Sequence, residues 1–280
     1  MPEGHTLHRL AGALDTAFAG TTPHVSSPQG RFADGAALLD GTTLERAWAH
    51  GKLLFVDFAE GRTLYVHLGL IGKWFVLPVE PDHAETGPPV TGVVRLRVED
   101  GSHVADLRGP MACQVVDQEE VLRLVDRQGP DPLQPVSELN DPDAAYGRIS
   151  RSGKSISELL MDQTVLAGVG NIYRCEVLWR HRLHPLKPGR SLKRASWQLI
   201  WDDLVTLMPW GVRTGRIITL DDVLADTAAA WERGERPEVP REFAVYQRTG
   251  MPCLRCGATV RHKKVAGRNL FWCGGCQRRT

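Results

Sequence analysis

The sequence predicts an α+β protein: a helix and an antiparallel sheet region, then a helical region, then a small zinc hairpin. Three observations carry this expectation. Apolar residues alternate with period two between turn signals up to about residue 125. After a proline-rich stretch the apolar spacing becomes that of helices. Near the end, two Cys-x2-Cys pairs stand sixteen residues apart. With 280 residues there is chain enough for two cores of ordinary size.

The elements follow in order. Leu7, Leu10, Ala11, Leu14 and Phe18 share one helical face, and Gly20 is a stop signal. Ser26–Gly30 and Asp34-Gly35 read as loops. Leu53 and Phe55 alternate with Leu54, Val56 and Phe58, and Glu60-Gly61 reads as a hairpin turn before a strand from Thr63 to Leu68. Pro78–Pro89 reads as a surface loop. Val94, Leu96 and Val98 alternate with Arg95 and Arg97, and Asp100-Gly101 is a hairpin signal before His103–Leu107. Short strands at this spacing suit a sandwich or a barrel. Gln128–Pro142 holds four prolines and reads as a linker. Beyond it, Ile156, Leu159 and Leu160 have one-face spacing, Asn171–His181 reads as a helix, and Leu192, Ala195, Leu199, Leu204 and Leu207 support a third. Arg233–Pro240 reads as an exposed loop.

Composition describes a globular chain, 42% hydrophobic and 24% charged. No apolar run has signal-peptide or membrane-span length, so the expected location is intracellular. The net charge of +1 conceals two basic segments. Tyr246–Thr280 holds eight Lys/Arg and no Asp or Glu, and Gly147–Arg194 holds ten against three acidic residues. Asp117–Asp143 is acidic. Cys113 and Cys175 stand alone and read as small buried side chains.

Four places could carry chemistry. With Met1 removed, Pro2 would expose a secondary amine, a nucleophile able to form an iminium with a sugar carbon. Glu3 beside it could transfer protons. Both would sit at the positive end of a helix, which favours a carboxylate and a neutral amine. An ordinary chain start is the alternative. Lys52, at a strand start, could bind phosphate or simply be solvated. In Ala167-Gly168-Val169-Gly170-Asn171-Ile172-Tyr173-Arg174, two glycines precede a helix whose free N–H groups could meet an anion. Asn171 could cap that helix or turn its amide outward; a tight helical corner is the alternative. Cys253, Cys256, Cys273 and Cys276 have the spacing of one closed, structural zinc ion rather than of redox thiols or disulfides. A basic zinc hairpin is expected to meet phosphate, with Arg268 on or near its turn.

In order, Met1-Pro2-Glu3-Gly4, His50-Gly51-Lys52-Leu53-Leu54-Phe55, Leu159-Leu160-Met161-Asp162-Gln163, Gly168-Val169-Gly170-Asn171-Ile172-Tyr173-Arg174 and the four cysteines resemble the formamidopyrimidine-DNA glycosylase/endonuclease VIII family over almost the whole chain. The opening Pro-Glu-Gly and the His-Gly-Lys-Leu-Leu-Phe stretch look closer to the endonuclease VIII branch. The first ten residues resemble an actinobacterial subgroup. The resemblance implies an N-terminal helix with an antiparallel β-sandwich (residues 1–127), a linker (128–143), a helix–two-turn–helix domain (144–245) and a zinc-finger hairpin (246–280). It implies a bifunctional glycosylase and AP lyase of base excision repair. Pro2 would attack C1′ and displace the base, Glu3 would transfer protons, and elimination at both flanking phosphates would open a gap. Lys52, Asn171 and Arg268 match the family's phosphate-holding positions, and Leu70, helped by Ile71, matches a wedge, with a core leucine as the alternative. The implied partner is double-stranded DNA with damaged bases or abasic sites, bound by a monomer in the bacterial cytoplasm, at the nucleoid, with no membrane and no cofactor beyond zinc.

Two departures stand out. Many members carry a second Glu shortly after the first; here that position is Thr6. The stretch Asp106-Leu107-Arg108-Gly109-Pro110 lacks the aromatic of an Arg-Phe pair. Near Glu232–Arg241 no oxidised-purine lid is recognisable, so the expected substrates are oxidised pyrimidines. A bulky or crosslinked adduct, or non-catalytic binding of damaged DNA, are the alternatives.

Overall fold

The period-two half of the sequence folds into two four-stranded antiparallel sheets. In the computed structural model, which describes residues 2–80 and 88–278, one sheet has the order β1-β6-β7-β5 and the other β2-β3-β4-β8. The first joins β1 (His24–Ser26), β5 (Lys73–Pro78), β6 (Leu96–Glu99) and β7 (His103–Arg108). The second joins β2 (Leu44–His50), β3 (Leu53–Phe58), β4 (Arg62–His67) and β8 (Ala112–Val116). Helix α1 (Gly4–Phe18) contributes Leu7, Leu10, Ala11, Leu14 and Phe18 to one apolar core with both sheets. The sandwich and the first helix therefore follow the sequence pattern.

Strand β3 explains its own unbroken apolar run. Leu54, Val56 and Phe58 face the core shared with α1, whereas Leu53 and Phe55 face outward under Tyr65 and Val121. Val121 belongs to α3 (Gln118–Asp126), which covers that outer face. A strand buried on both sides needs no polar face. The one charged residue, Asp57, is satisfied by Arg46 Nε, Trp48 Nε1 and Thr63 Oγ1. The expected turn at Glu60-Gly61 is present as a short 3₁₀ segment, Ala59–Gly61. Asp100 sits in the β6–β7 turn, accepting from Ser102 N and His103 N.

One loop expectation fails. Asp34-Gly35 is no loop but part of α2 (Ala33–Leu39), held because Ala36 and Leu39 reach the core. Of the expected loop Pro78–Pro89, residues 81–87 lie outside the described residues, as does Met1. The proline-rich stretch after residue 127 is ordered. Buried Asn140 accepts from Asp131 N and donates to the carbonyls of Asp131, Gln134 and Pro135.

Met1–Arg127 forms one unit and Gln128–Thr280 a second. The second contains α4 (Pro142–Ser150), α5 (Ile156–Leu159), α6 (Asn171–Arg180), α7 (Arg194–Thr214), α8 (Asp221–Glu232) and a hairpin of β9 (Val260–Val265) and β10 (Arg268–Cys273). Helix α5 opens with a full capping box between Ser155 and Glu158. In α7 the buried face is Trp197, Ile200, Trp201, Leu204, Leu207 and Met208. Leu199, expected on that face, is exposed, and Leu192 packs just ahead of the helix. The tryptophans, not the leucines, set the phase. No helix among the described residues is long and apolar enough to cross a membrane.

Candidate active site and zinc hairpin

In the N-terminal unit, Glu3 is the residue before α1, and its side chain is fully buried. Pro2 is half-buried beside it. The next residue, Gly4, begins the helix, so the carboxyl sits at the helix's positive end. His5 is also buried. Burial first, then the charges of His8 and Arg9, brings its pKa down to about 4, so its ring is neutral at pH 7.

Pro2 lines a cavity of about 960 Å³. Thr6, Arg9 and Ala13, on successive turns of α1, form one wall. Leu70 and Trp74 belong to the other. Leu70 and Ile71 are 51% and 80% exposed, which removes the reading of Leu70 as a core residue. Their loop is a tight one. Gly72 N donates to Leu68 O, and a Cβ on Gly72 would lie 2.2 Å from that oxygen. Only glycine closes this turn, and the closure lifts Leu70 and Ile71 away from the core.

Lys52 sits in the turn between β2 and β3, as the sequence suggests. It lies near enough to His67 to act on its charge. Burial first, then Lys52, lowers the His67 pKa. His67 Nδ1 accepts from Gly69 N at 2.9 Å, so Lys52 neighbours the base of the Leu70 loop. Arg108, which stands where the Arg-Phe pair would be, donates to Asp106 and Thr91.

In the C-terminal unit the glycine-rich stretch leads into α6, but Gly170, not Asn171, is its cap. Asn171 is the first helical residue and 5% exposed. Its amide has neither of the two orientations expected. Nδ2 donates to Asn269 O at 2.9 Å, and Oδ1 accepts from the Arg174 guanidinium. Asn171 is thereby tied to the residue after Arg268. Arg268 itself starts β10, just after the turn at Ala266-Gly267, where the sequence puts it.

The sequence assigns no individual role to two charged residues of α6. Arg174 and Glu176 are fully buried in the helix. The Glu176 carboxylate accepts from Ala244 N, Val245 N, Tyr246 N and Thr219 Oγ1, at 2.8–2.9 Å. It fastens α6 to the chain entering the zinc hairpin. The available signal was two charges inside the apolar run Tyr173, Cys175, Val177, Leu178 and Trp179. Charges on a buried helix face must be partnered.

The cysteine pairs converge. All four sulfurs lie within 4.8 Å of one another, with Cys253–Cys276 at 3.9 Å and Cys256–Cys273 at 3.5 Å. A tetrahedron of thiolates around zinc, with Zn–S about 2.3 Å, puts sulfurs about 3.8 Å apart. The donor set fits one zinc ion. Amides of Arg255, Gly275 and Cys276 donate to the sulfurs, and Trp179 Nε1 of α6 reaches Cys253 Sγ at 3.3 Å. Burial first, then the neighbouring thiols, holds Cys276 up to about 12. Crowded thiols of this kind lose their protons to a cation.

Residues 1–113 match the formamidopyrimidine-DNA glycosylase N-terminal domain, residues 128–222 its H2TH domain, and residues 250–279 the zinc finger found in FPG and IleRS. The chain is 46% identical over 277 residues to Endonuclease 8 1 of Mycobacterium tuberculosis, covering 99% of this chain and 100% of that one. The chain belongs to the formamidopyrimidine-DNA glycosylase/endonuclease VIII family. It is also 30% identical, over 99% of both chains, to formamidopyrimidine-DNA glycosylase of Agrobacterium fabrum. Among solved structures, Lactococcus lactis Fpg in complex with an oxidised-pyrimidine-containing DNA has the same fold, with a TM-score of 0.79 at 24% identity, covering 99% of this chain and 100% of that one. The family is one of DNA glycosylases of base excision repair. Its helix–two-turn–helix domain and zinc finger are the helical region and hairpin described above.

Proposed function

We propose that this protein is a bifunctional DNA glycosylase and AP lyase that removes oxidised bases, above all pyrimidines, from double-stranded DNA. The observation that carries the reading is the cavity at the start of α1. Pro2 lines it, buried Glu3 adjoins it, and the exposed Leu70 loop stands at its edge. Near relatives carrying glycosylase and endonuclease names over their full length support it.

In this mechanism the Pro2 nitrogen, freed by loss of Met1, attacks C1′ as the C1′–N bond breaks, and the base leaves with a proton supplied through Glu3. The sugar ring then opens at C1′–O4′ as O4′ takes up a proton, and the iminium so formed between Pro2 and C1′ acidifies C2′–H. Loss of that proton expels the 3′ phosphate, a second elimination expels the 5′ phosphate, and hydrolysis returns the amine. Leu70 enters the stack vacated by the flipped nucleotide. Lys52, Asn171 and Arg268 hold the phosphates around it. Lys52 thus acts next to the reacting sugar, whereas Asn171 also orders the Arg268 hairpin. Residues 1–127 carry the chemistry; residues 144–245 and 246–280 hold DNA. The protein acts as a monomer at the bacterial nucleoid.

Borohydride trapping on abasic DNA tests the core of this reading, since only an iminium is reduced to a stable crosslink. Processed protein should trap. Protein shown by mass spectrometry to retain Met1 should bind DNA and fail to trap, and full trapping by that form refutes Pro2 as nucleophile. Arg268→Ala and Lys52→Ala should slow turnover on damaged duplex more than they weaken binding to undamaged DNA. A second reading is favoured by one observation. At about 960 Å³, with Thr6 in place of a carboxylate, the cavity suits an adduct larger than a single base. A panel of defined lesions separates the two.

A further inference from the structure

The C-terminal end of α6 carries a feature that the reaction does not use. The helix closes in a full Schellman motif, with Arg182 N donating to Trp179 O and Leu183 N to Leu178 O. The residue in the left-handed position of that motif is ordinarily glycine. Here it is Arg182, at φ +54. A long cationic side chain at a strained position, where glycine is the easier choice, points to a task for the side chain.

Its surroundings indicate the task. Arg182 lines a small cavity of about 110 Å³ together with His184, Lys187, Ser191 and Arg278. At roughly 30 Å³ per water, this is the space of three or four waters, the scale of one tetrahedral oxyanion. Among the described residues, neither Arg182, Lys187 nor Arg278 has a carboxylate within ion-pair distance. The sequence explains why. From Val177 to Trp201 there is no Asp or Glu and there are six Lys/Arg; from Phe243 to Thr280 there is again none. These two acid-free segments meet here, where Gln277 Nε2 donates to Leu183 O.

Two nearby negative features have their own counter-charges. The carbonyls of Trp179 and Arg180 at the helix end accept from the Arg255 guanidinium. A four-thiolate zinc would carry −2 beside a larger adjoining cavity, of about 510 Å³, lined by Cys256 and Cys276 with Arg255 and also with Arg182 and Arg278, so those two arginines reach both cavities and Lys187 only the smaller one. The smaller cavity touches no cysteine.

We propose that this cavity seats a backbone phosphate of DNA, as a second contact separate from Asn171 and Arg268. The ten residues of α6 put it roughly 15 Å from Asn171. The proposal rests on the DNA-binding reading above and adds a contact whose loss is separable from it.

The test uses the full, zinc-loaded chain. Binding of an undamaged duplex is titrated across salt concentrations for the wild type, for Arg182→Gly with Lys187→Ala, and for Arg278→Ala, and thermal unfolding is followed for the wild type and for Arg182→Gly alone. Losing the one phosphate contact should make the slope of log K against log salt shallower by about one, so the double variant should lose about one and Arg278→Ala no more than that. Arg182→Gly relieves the backbone, so its Tm should hold or rise, which a purely structural role for Arg182 would not give. Inorganic phosphate, compared with chloride at matched ionic strength, is the second probe. Slopes unchanged in both variants overturn the proposal, even if phosphate raises the wild-type Tm and not that of Arg182→Gly, because the cavity then takes a free anion and not DNA. A shallower slope upholds it with or without that thermal effect. A wild type that traps on abasic DNA while the variants keep its salt slope fails only this inference. A wild type that neither traps nor binds duplex fails the parent reading.

Discussion

The two units treat their polar residues differently. In the N-terminal unit the core is apolar, and Thr6, Lys52, Leu70 and Ile71 stand around the cavity and its neighbouring turns, where the sandwich does not depend on them. In the C-terminal unit Asn171, Arg174 and Glu176 are buried in α6, on which the zinc hairpin packs. There the glycine-rich motif and the internal scaffold share residues. A change at the N-terminal rim should therefore alter activity alone, whereas a change along α6 should alter stability and activity together. The first unit buries polar groups too, Glu3 and His5 at the head of α1 and Asp57 and Arg97 within the sheets, but none of these is on the cavity rim.

The largest effect should come from the zinc ligands. Residues 250–278 hold few buried apolar groups beyond Val260, Leu270 and Phe271, so the metal supplies much of their order. Cys253→Ser should release zinc to a chelating dye and weaken DNA binding with a shallower salt slope. A variant that lost zinc yet bound DNA normally would remove Arg268 from the phosphate contacts.

Glu176→Ala comes next. It leaves three buried backbone N–H groups and the Thr219 hydroxyl without their acceptor. Such a loss costs about 3–5 kcal/mol. Urea unfolding followed by tryptophan fluorescence should show it, and zinc should leave faster. A loss below about 1 kcal/mol would mean that α6 is not the scaffold of this unit.

His5 gives the N-terminal unit its own sensitivity, of middling size. Its folded pKa, about 4, lies below the ordinary 6.5, so the unfolded chain binds the proton more tightly. The contribution is therefore complete above pH 6.5 and is lost as pH falls towards 4, up to about 3 kcal/mol in all. His5→Asn should flatten the stability of this unit between pH 6.5 and 4. Equal slopes in variant and wild type would show that His5 takes its proton without strain.

Much of this was legible in the sequence, for physical reasons. Periodicity disclosed α1, β3, β4, β6 and β7 because burial forces it, and the cysteine spacing disclosed the hairpin because tetrahedral ligation forces that. Helix α2 was hidden by Asp34-Gly35, a turn signal that the packing of Ala36 and Leu39 overrides. The phase of α7 was hidden because its tryptophans outweigh its leucines. The role of Asn171 was hidden for a different reason. A motif names the residue, but its partners, Asn269 O and Arg174, come from tertiary contact. The cavity likewise needed Arg9 and Trp74, which no local pattern marks.

Leu70 should show the smallest effect on stability and the most selective effect on activity. Half exposed, on a loop held by Gly72 and His67, it contributes little to the core. Leu70→Ala should therefore change stability by no more than about 0.5 kcal/mol. A wedge is needed only where a neighbouring stack and an opposing strand must be held apart. Unstacking a step of duplex costs a few kcal/mol, and an apolar side chain in the gap recovers part of it. Losing about 1.4 kcal/mol of that recovery slows turnover roughly tenfold. A single strand carrying the same lesion has no opposing strand and needs no such filling. The ratio of duplex to single-strand turnover should thus fall about tenfold in Leu70→Ala, and further when Ile71→Ala is added, since Ile71 is the more exposed neighbour. Equal slowing on both substrates would make Leu70 a general contact of the cavity. A stability loss of about 2 kcal/mol or more would make it a core leucine after all, and the contrast between the rim of the first unit and the spine of the second would not hold.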